Sequence, residues 1–164
     1  MEKNLNAAQY IFDEYKRQSK EFIDEMKLHK LLYFAQRESF AITGHPLFEG
    51  EFEGWKYGPV CREIRNLITP DGVMDANGDI SEECKYIVNN VIQEYGTLAS
   101  WKLSDLSHKE KSWINSRIGL TEGENGNVKL KLSDIEEDAK KVRPYDHVWD
   151  MYYDEFEEAE EMPA

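Results

Sequence analysis

Apolar residues recur every three or four positions along several stretches of the chain, the spacing that places side chains on one face of an α-helix. In the first stretch this spacing is kept by Ala8, Ile11, Phe12 and Tyr15, which predict an amphipathic helix over about residues 6–18. The apolar side of such a helix has to be buried against another element of the fold.

The second helical stretch predicts the central helix of the fold. It runs from about Glu25 to Thr43, with Asp24 as its N-cap and Gly44 as the glycine that ends its last turn. A helix that is apolar around much of its circumference usually lies at the centre of a bundle. The residues on its apolar face are Leu28, Leu31, Leu32, Ala35 and Ile42, widened by Met26, Tyr33 and Phe34.

Residues 45–56 lose the helical period, and two glycines with glutamates alternating with aromatic residues predict an extended or hairpin-like segment. Pro59 then stands where the first residue of a helix would be, followed by an apolar stripe. The stripe consists of Val60, Ile64, Leu67 and Ile68.

The segment WKYGP, residues 55–59, combines two aromatic residues with two residues that break regular structure. On a strand, Trp55 and Tyr57 would point to one side and Lys56 to the other. The two rings either pack on the central helix or anchor a protein interface, where Trp and Tyr are enriched. The sequence leaves both interpretations open.

Turn and cap residues divide the rest of the chain. TPDG at residues 69–72 predicts a turn with proline in its second position, and Ser81 and Gly96 bound the clearest amphipathic helix. Thr97 is the predicted cap of a short helix. The apolar residues of that short helix are Leu98, Trp101 and Leu106.

Strict alternation in VKLKL, residues 128–132, predicts a short strand, and Ser133 with Glu136 forms a capping box for a last helix that Pro144 stops. These elements predict a mainly α, single-domain helical bundle. Its β-element is a short hairpin or small sheet built from residues near 48–57 and 128–132.

The charge of the chain is concentrated at its C-terminal end. The formal net charge is −13, and residues 145–164 contain eight acids and no Lys or Arg, which leaves −5 for residues 1–144. Phosphate backbones repel such a protein, so nucleic-acid binding is disfavoured and a basic protein partner is expected. Apolar residues at helical spacing in this tail leave open whether it docks as a helix or frays.

Composition also bears on location and chemistry. No apolar run approaches the length of a membrane span, the N-terminus has no apolar signal region, and Cys61 and Cys84 show no CxxC spacing. These features predict a cytoplasmic protein with reduced, buried thiols. None of the four histidines has metal-site spacing, so no metal or cofactor is expected, and His29 is interpreted as a hydrogen-bonded core residue.

Two sequence features carry weaker suggestions of other functions. His108 and Glu110 could act as an acid–base pair, but a charged junction between helices is favoured, and no catalytic motif is present. Residues 97–118 could form a helix-turn-helix, but Glu110 and the acidic balance of the chain argue against a DNA-binding footprint. An undetected hydrolase and a DNA-binding regulator of a phage or mobile element therefore remain as alternatives.

Several ordered segments resemble the Panacea domain, the SocA-like antitoxin family of bacteria and their phages. The segments are KLHKLLYFA at Lys27–Ala35, GHPLF at Gly44–Phe48, GWKYGPV at Gly54–Val60 and YGTLASWKLSDLSHKEKSW at Tyr95–Trp113. With flanking positions the similarity covers roughly residues 5–143. It assigns residues 1–144 to a Panacea domain and leaves residues 145–164 as an acidic tail outside the pattern.

The chain departs from the family pattern at three positions. His29 stands where the family often has Gln, Gly54 where Ala is common, and Ser112 where Pro usually precedes the Trp. These differences are mild and leave the implied fold unchanged.

The resemblance implies a non-enzymatic antitoxin that neutralises a cognate toxin by direct contact. In one branch of the family it implies a proteolytic adaptor that delivers the toxin to a Clp-type protease. The acidic charge adds the expectation that the toxin is basic. The predicted contact residues are Trp55, Lys56, Tyr57 and Pro59 in the corner, and Asp154, Glu155, Glu157 and Glu158 in the tail.

Overall fold

The structure is a computed structural model that describes residues 1–143; residues 144–164, with the acidic tail and the predicted helix stop at Pro144, lie outside this range. Within it the fold is mainly α, as predicted. Its helices are α1 (Asn4–Ser19), α2 (Glu25–Thr43), α3 (Arg62–Leu67), α4 (Glu82–Tyr95), α5 (Ser100–Ser107), α6 (Lys111–Ser116) and α7 (Leu132–Ala139). Its strands are β1 (Glu2–Lys3), β2 (Phe48–Glu49), β3 (Glu53–Trp55), β4 (Gly58–Val60), β5 (Ile68–Thr69) and β6 (Gly72–Val73).

Helix α2 begins and ends where its local signals predict. The Asp24 side chain accepts a hydrogen bond from the Lys27 amide at 2.8 Å, and Gly44 closes the helix in the left-handed region with φ +79°. Every residue from Lys27 to Phe40 is buried. Ile42 is an exception to the predicted apolar face, because it lies in the last turn and is 39% exposed.

The other long helices pack around α2 and bury their own apolar faces against it. Ala7, Ala8 and Ile11 of α1, and Ile87 and Val88 of α4, belong to the same hydrophobic core cluster as the apolar residues of α2. Each is completely buried, and an Ile or Val side chain contributes about 1.5–3 kcal/mol when it leaves water. Shorter helices α5 and α7 pack on α2 from other directions.

Three small sheets of two strands each connect these helices within residues 1–143. Strand β1 pairs in parallel with β2, β3 pairs antiparallel with β4, and β5 pairs antiparallel with β6 across the predicted turn at residues 69–72. The β3–β4 hairpin confirms the predicted β-element.

The predicted strand at residues 128–132 is reduced to a single bridge between Lys129 and Glu53. Two backbone hydrogen bonds flank the bridge, from the Leu130 amide to the Phe52 carbonyl at 2.8 Å and from the Gly54 amide to the Val128 carbonyl at 2.9 Å. Pairing ends there because the chain turns into α7 two residues after Leu130.

The prediction that Pro59 starts a helix is wrong. Pro59 lies in β4 opposite Gly54, and the helix begins three residues later at Arg62. Proline fits this position because a strand at a sheet edge can lack one N–H donor. The proline that the sequence pattern assigns to a helix start is therefore a strand residue of the hairpin.

Two predicted helix caps are also wrong. Helix α5 begins at Ser100 rather than after Thr97, and Ser133 lies inside the first turn of α7 rather than capping it.

Helix α6 is capped by a residue from another helix. The Asp138 carboxylate of α7 accepts the Lys111 and Ser112 amides at 2.8 and 2.9 Å. A tertiary contact thus satisfies the first turn of α6, which no local pattern could indicate.

None of the helices in the part of the chain that the structure describes is long and apolar enough to cross a membrane. The same residues contain no group of three or more His, Cys, Asp or Glu that could hold a metal ion.

Gly58 is required by both conformation and space. Its φ is +115°, and a Cβ would lie 2.4 Å from Ser107 Oγ and 2.5 Å from Lys30 Cε. We expect Gly58→Ala to lower the free energy of unfolding by about 2–4 kcal/mol, through backbone strain and overpacking together. Urea denaturation of the variant and of the wild-type protein measures this loss.

Two other glycines separate the contributions. Gly119 has φ +90° with open space around it, so Gly119→Ala should cost only the strain, about 1–2 kcal/mol. Gly123 has open space and no such constraint, so Gly123→Ala should change stability by less than about 1 kcal/mol. A Gly58→Ala loss no larger than that of Gly119→Ala would contradict the close packing at the hairpin.

Candidate partner-binding groove

The segment that contains the predicted corner forms the β3–β4 hairpin. Trp55 pairs with Gly58, so Lys56 and Tyr57 form the turn between the strands. Trp55 and Tyr57 are therefore not alternate residues on one strand face, as the sequence suggested. Trp55 is partly buried, whereas Tyr57 is 55% exposed and does not belong to the core.

Side chains from three helices hold the backbone of this hairpin. The bonds run from Trp113 Nε1 to Trp55 O (2.8 Å), from Ser104 Oγ to Tyr57 O (2.6 Å) and from Lys30 Nζ to Pro59 O (3.0 Å). Because all three bonds are accepted by carbonyl groups, they fix the backbone and leave the side chains of the turn free to face outward.

A fourth bond holds the start of the hairpin. Arg117, which follows α6, donates to the Gly54 carbonyl at 2.9 Å. Gly54 itself has no room for a side chain, because a Cβ would lie 1.9 Å from Ser116 Oγ. This contact explains why the chain has Gly where the family pattern commonly has Ala.

A groove of about 720 Å³ lies between this hairpin, the first turns of α2, helix α3 and the loop at residues 125–127. We call it the hairpin groove. It is lined by Glu25, Met26, His29, Lys30, Trp55, Lys56, Tyr57, Val60, Arg62, Arg65, Asn125, Gly126 and Asn127.

One wall of the hairpin groove is an aromatic ring between two cations. Arg62 and Arg65, one turn apart on α3, lie 5.6 and 5.0 Å from the centre of the Trp55 ring. Glu53 orients this wall by accepting from Trp55 Nε1 at 3.0 Å and from Arg62 at 2.8 and 2.9 Å. The wall combines an apolar surface with positive charge, which suits an acidic or aromatic partner segment.

Lys30 forms the floor of the hairpin groove. It is 1% exposed, and burial lowers the pKa of its ammonium group to about 7. Its Nζ donates to the Pro59 carbonyl. Lys30 therefore joins the central helix to the hairpin and places a polar group at the base of the groove.

His29 is the hydrogen-bonded core histidine that the sequence predicted. Its Nδ1 accepts the Cys61 amide at 3.2 Å, which leaves the proton on Nε2 to be donated to Glu25 at 3.3 Å. Burial, with the nearby charge of Lys30, lowers the pKa of His29 to about 4, so the ring is neutral near pH 7.

The predicted contact residues fall into three groups. Trp55, Lys56 and Tyr57 line the hairpin groove, whereas Pro59 is buried and contributes its carbonyl to Lys30. The tail acids, Asp154, Glu155, Glu157 and Glu158, lie outside the described residues.

Sequence reasoning identified Lys56 but missed the other three basic residues of the groove. Lys30 was counted with a hydrophobic helix, and Arg62 and Arg65 were not considered. The spacing of Arg62 and Arg65 was an available signal, since residues three apart share a helix face. Their contact with the Trp55 ring depends on the hairpin and could not be predicted from the sequence.

His108 and Glu110 have separate partners. Glu110 is buried and forms an ion pair with Arg37 of α2, while burial raises the pKa of its carboxyl. The His108 ring stacks on Trp113, with ring centres 4.2 Å apart. The arrangement fits the favoured interpretation as a junction between helices better than an acid–base pair.

Comparison with known proteins places these elements in a family. Residues 28–114 match the family described as "Antitoxin SocA-like, Panacea domain". The chain belongs to the SocA-like Panacea family. The recognised resemblance is thereby confirmed.

A curated relative of this Panacea chain is antitoxin SocA of Caulobacter vibrioides (strain NA1000 / CB15N). The two are 38% identical over 72 residues, which is 44% of this chain and 32% of the relative. The match therefore spans about a third of the length of the relative. No solved structure matches the chain.

The Panacea match contains most of the hairpin groove. Its range includes nearly all of α2, the β3–β4 hairpin and α3, whereas the loop at residues 125–127 lies beyond it. The groove is thus built mainly from family segments and completed by a segment of this chain.

The position of His29 in the Panacea pattern, where Gln is common, gives a test of its role. A Gln carbonyl can accept the Cys61 amide as Nδ1 does, so we expect His29→Gln to retain stability near pH 7. His29→Leu leaves that buried amide without an acceptor and should cost about 1–3 kcal/mol. Urea unfolding of both variants makes the comparison.

The wild type and His29→Gln together test the protonation state of His29. The pKa of His29 is about 4 in the folded protein and 6.5 ordinarily, so as pH falls the unfolded chain takes up this proton first. The wild type should lose stability relative to His29→Gln as pH falls from about 6.5 to 4. A constant difference across this window would contradict a neutral His29.

Proposed function

We propose that this protein neutralises a cognate toxin by direct contact, without a catalytic step, and that the hairpin groove forms part of the contact surface. The proposal rests on one observation: the family segment around WKYGP is held rigidly by its backbone while Trp55, Lys56 and Tyr57 line an open groove. Rigid aromatic side chains of this kind are common anchors of protein interfaces. The antitoxin role itself agrees with the family.

Charge supports a second contact with the toxin. The eight acids of residues 145–164 carry more than half of the net charge of −13. We propose that residues 1–144 form one helical-bundle domain and that the tail steers a basic toxin toward it in the cytoplasm. The hairpin groove, which is itself positively charged, then binds an acidic or aromatic segment of that toxin. Attraction of this kind accelerates association and weakens as salt rises.

DNA binding through residues 97–118 receives less support. Helix α6 has only six residues, and three of them are buried. Arg117 donates to the carbonyls of Gly54, Thr121 and Glu124, so its guanidinium is already engaged within the protein. A basic recognition surface is not assembled in this part of the chain.

The groove contact is tested with the toxin encoded beside the gene. We expect Trp55→Ala and Tyr57→Ala to weaken binding of the purified toxin by about tenfold or more each, as for interface anchors. Titration calorimetry measures affinity, and rescue of growth on co-expression measures neutralisation. Loss of toxin activity on binding, with no protease present, would distinguish direct neutralisation from delivery to a Clp-type protease.

Trp101→Ala is the matched control, because Trp101 is 68% exposed and does not line the groove. It should bind the toxin as the wild type does. If Trp101→Ala weakened binding while the groove variants bound normally, the contact surface would lie on α5 instead, and the groove proposal would fail.

The tail contact is tested by removing charge without shortening the chain. We expect Asp154→Asn/Glu155→Gln/Glu157→Gln/Glu158→Gln to slow association with the toxin at low salt, because steering is lost. Stopped-flow rates at several salt concentrations should also show a flatter salt dependence than the wild type. Unchanged rates and salt dependence would remove the tail from the mechanism.

A further inference from the structure

The hairpin groove is positively charged on a protein that is otherwise acidic. Its lining contains four basic residues and one acid, Glu25, while residues 1–143 as a whole carry −5 once the eight tail acids are removed from −13. The basic residues are Lys30, Lys56, Arg62 and Arg65. An acidic segment is therefore attracted to this site and repelled by most of the remaining surface.

Neighbouring clefts show the contrast. The cleft beside β2 and α3 is lined by four glutamates and three basic residues, and the one beneath β5 has two acids and no basic residue. The four glutamates are Glu49, Glu51, Glu53 and Glu63. Both linings are net negative, whereas the lining of the hairpin groove is net positive, so a carboxylate-rich segment is favoured in the groove.

Two cations of the hairpin groove lack an ionic partner in the described range. Neither Lys30 nor Lys56 forms an ion pair with another of residues 1–143; Lys30 donates to a carbonyl and Lys56 lies 5.1 Å from the centre of the Tyr57 ring. Burial of Lys30 without a counter-charge disfavours the charged form of its ammonium group. A carboxylate brought into the groove would supply that counter-charge.

The chain itself contains a segment of matching chemistry. Residues 144–164 combine eight acids with aromatic residues and contain no Lys or Arg. The aromatic residues are Tyr145, Trp149, Tyr152, Tyr153 and Phe156. Such a segment can pair carboxylates with the groove cations and rings with Trp55 and Tyr57.

The length of chain beyond Arg143 is sufficient. Asp154 and Glu158 follow Arg143 by 11 and 15 residues, which at full extension span roughly 35–50 Å. A domain of this size is roughly 40 Å across. Val142 lines a cleft with Phe34 and Arg37, which lie one and two turns beyond Lys30 on the same face of α2. The tail acids therefore have enough chain to reach the hairpin groove.

We propose that in the free protein the acidic segment 144–164 docks into the hairpin groove of its own chain. The segment then covers Trp55 and Tyr57 until a partner displaces it. This goes beyond toxin neutralisation, because it assigns the groove an occupant in the absence of any toxin. Toxin binding at the groove would have to compete with the tail.

Paramagnetic relaxation in the full-length protein tests this docking. Cys61 and Cys84 are both buried at 1% exposure, so a nitroxide can be attached selectively at Ala159→Cys. We expect selective loss of the amide signals of Lys56, Tyr57 and Gly126, and recovery of those signals at high salt. The control is a mixture of ¹⁵N protein without nitroxide and ¹⁴N protein with nitroxide. It should show no loss of amide signals, because the docking is within one chain.

Two variants and a matched control complete the test. Lys56→Glu/Arg65→Glu should abolish the signal loss, and so should neutralisation of the four tail acids at 154, 155, 157 and 158, which leaves the domain unaltered. Lys16→Glu/Lys131→Glu makes the same charge change at exposed positions outside the groove and should retain the effect.

Three outcomes overturn the proposal: attenuation centred on another face, attenuation that survives in the groove variant, or none in the wild type. Attenuation that also appears in the mixed sample would assign the contact to a second copy and would likewise refute the proposal. Since no toxin is present, these results are independent of whether toxin neutralisation fails.

Discussion

The structure depends on the burial of a fourteen-residue stretch of α2 that carries many polar side chains. From Lys27 to Phe40 no residue of α2 reaches the surface, although this stretch contains charged, amide and hydroxyl groups. A buried polar group without a partner costs roughly 1–3 kcal/mol, so each of these has to find one inside the protein. The surrounding chain is arranged to supply those partners.

Many of these partners are backbone groups of neighbouring segments. Lys27 donates to the Gly96 carbonyl at 2.9 Å and so closes the end of α4, while Gln36 accepts from the Leu47 amide at 2.7 Å and donates to Phe48. The central helix thus determines where each neighbouring segment runs, beyond providing an apolar surface. The family segment KLHKLLYFA therefore supplies polar contacts to its neighbours as well as an apolar face.

One polar group on α2 also reaches two other helices. Arg37 pairs with Glu110, bonds to Tyr95 at 2.8 Å and stacks on the Phe34 ring at 4.7 Å. Burial raises the pKa of Tyr95 to about 12, and the adjacent guanidinium opposes this. Loss of the guanidinium would leave a buried carboxylate uncompensated, so Arg37 is needed at the junction of α2, α4 and α6.

Features with local causes could be predicted from the sequence. Asp24 and Gly44 bound α2 through contacts within four residues, and Ser81 caps α4 by accepting the Cys84 amide. Features that depend on distant segments could not: Pro59 pairs with Gly54 in a hairpin, and Trp101 faces solvent although its helix reads as amphipathic. The groove is formed by α2, the hairpin and α3 together, so its charge could not be predicted from the order of residues along the chain.

The way the hairpin is held has a consequence for how such a surface could diversify. Hydrogen bonds accepted by the carbonyls of Trp55 and Tyr57 do not depend on which side chains those residues carry. Replacement of residues 55–57 would therefore leave the scaffold bonds in place, provided that Gly58 keeps its conformation. A fold built this way can exchange its recognition side chains for new partners without refashioning its interior.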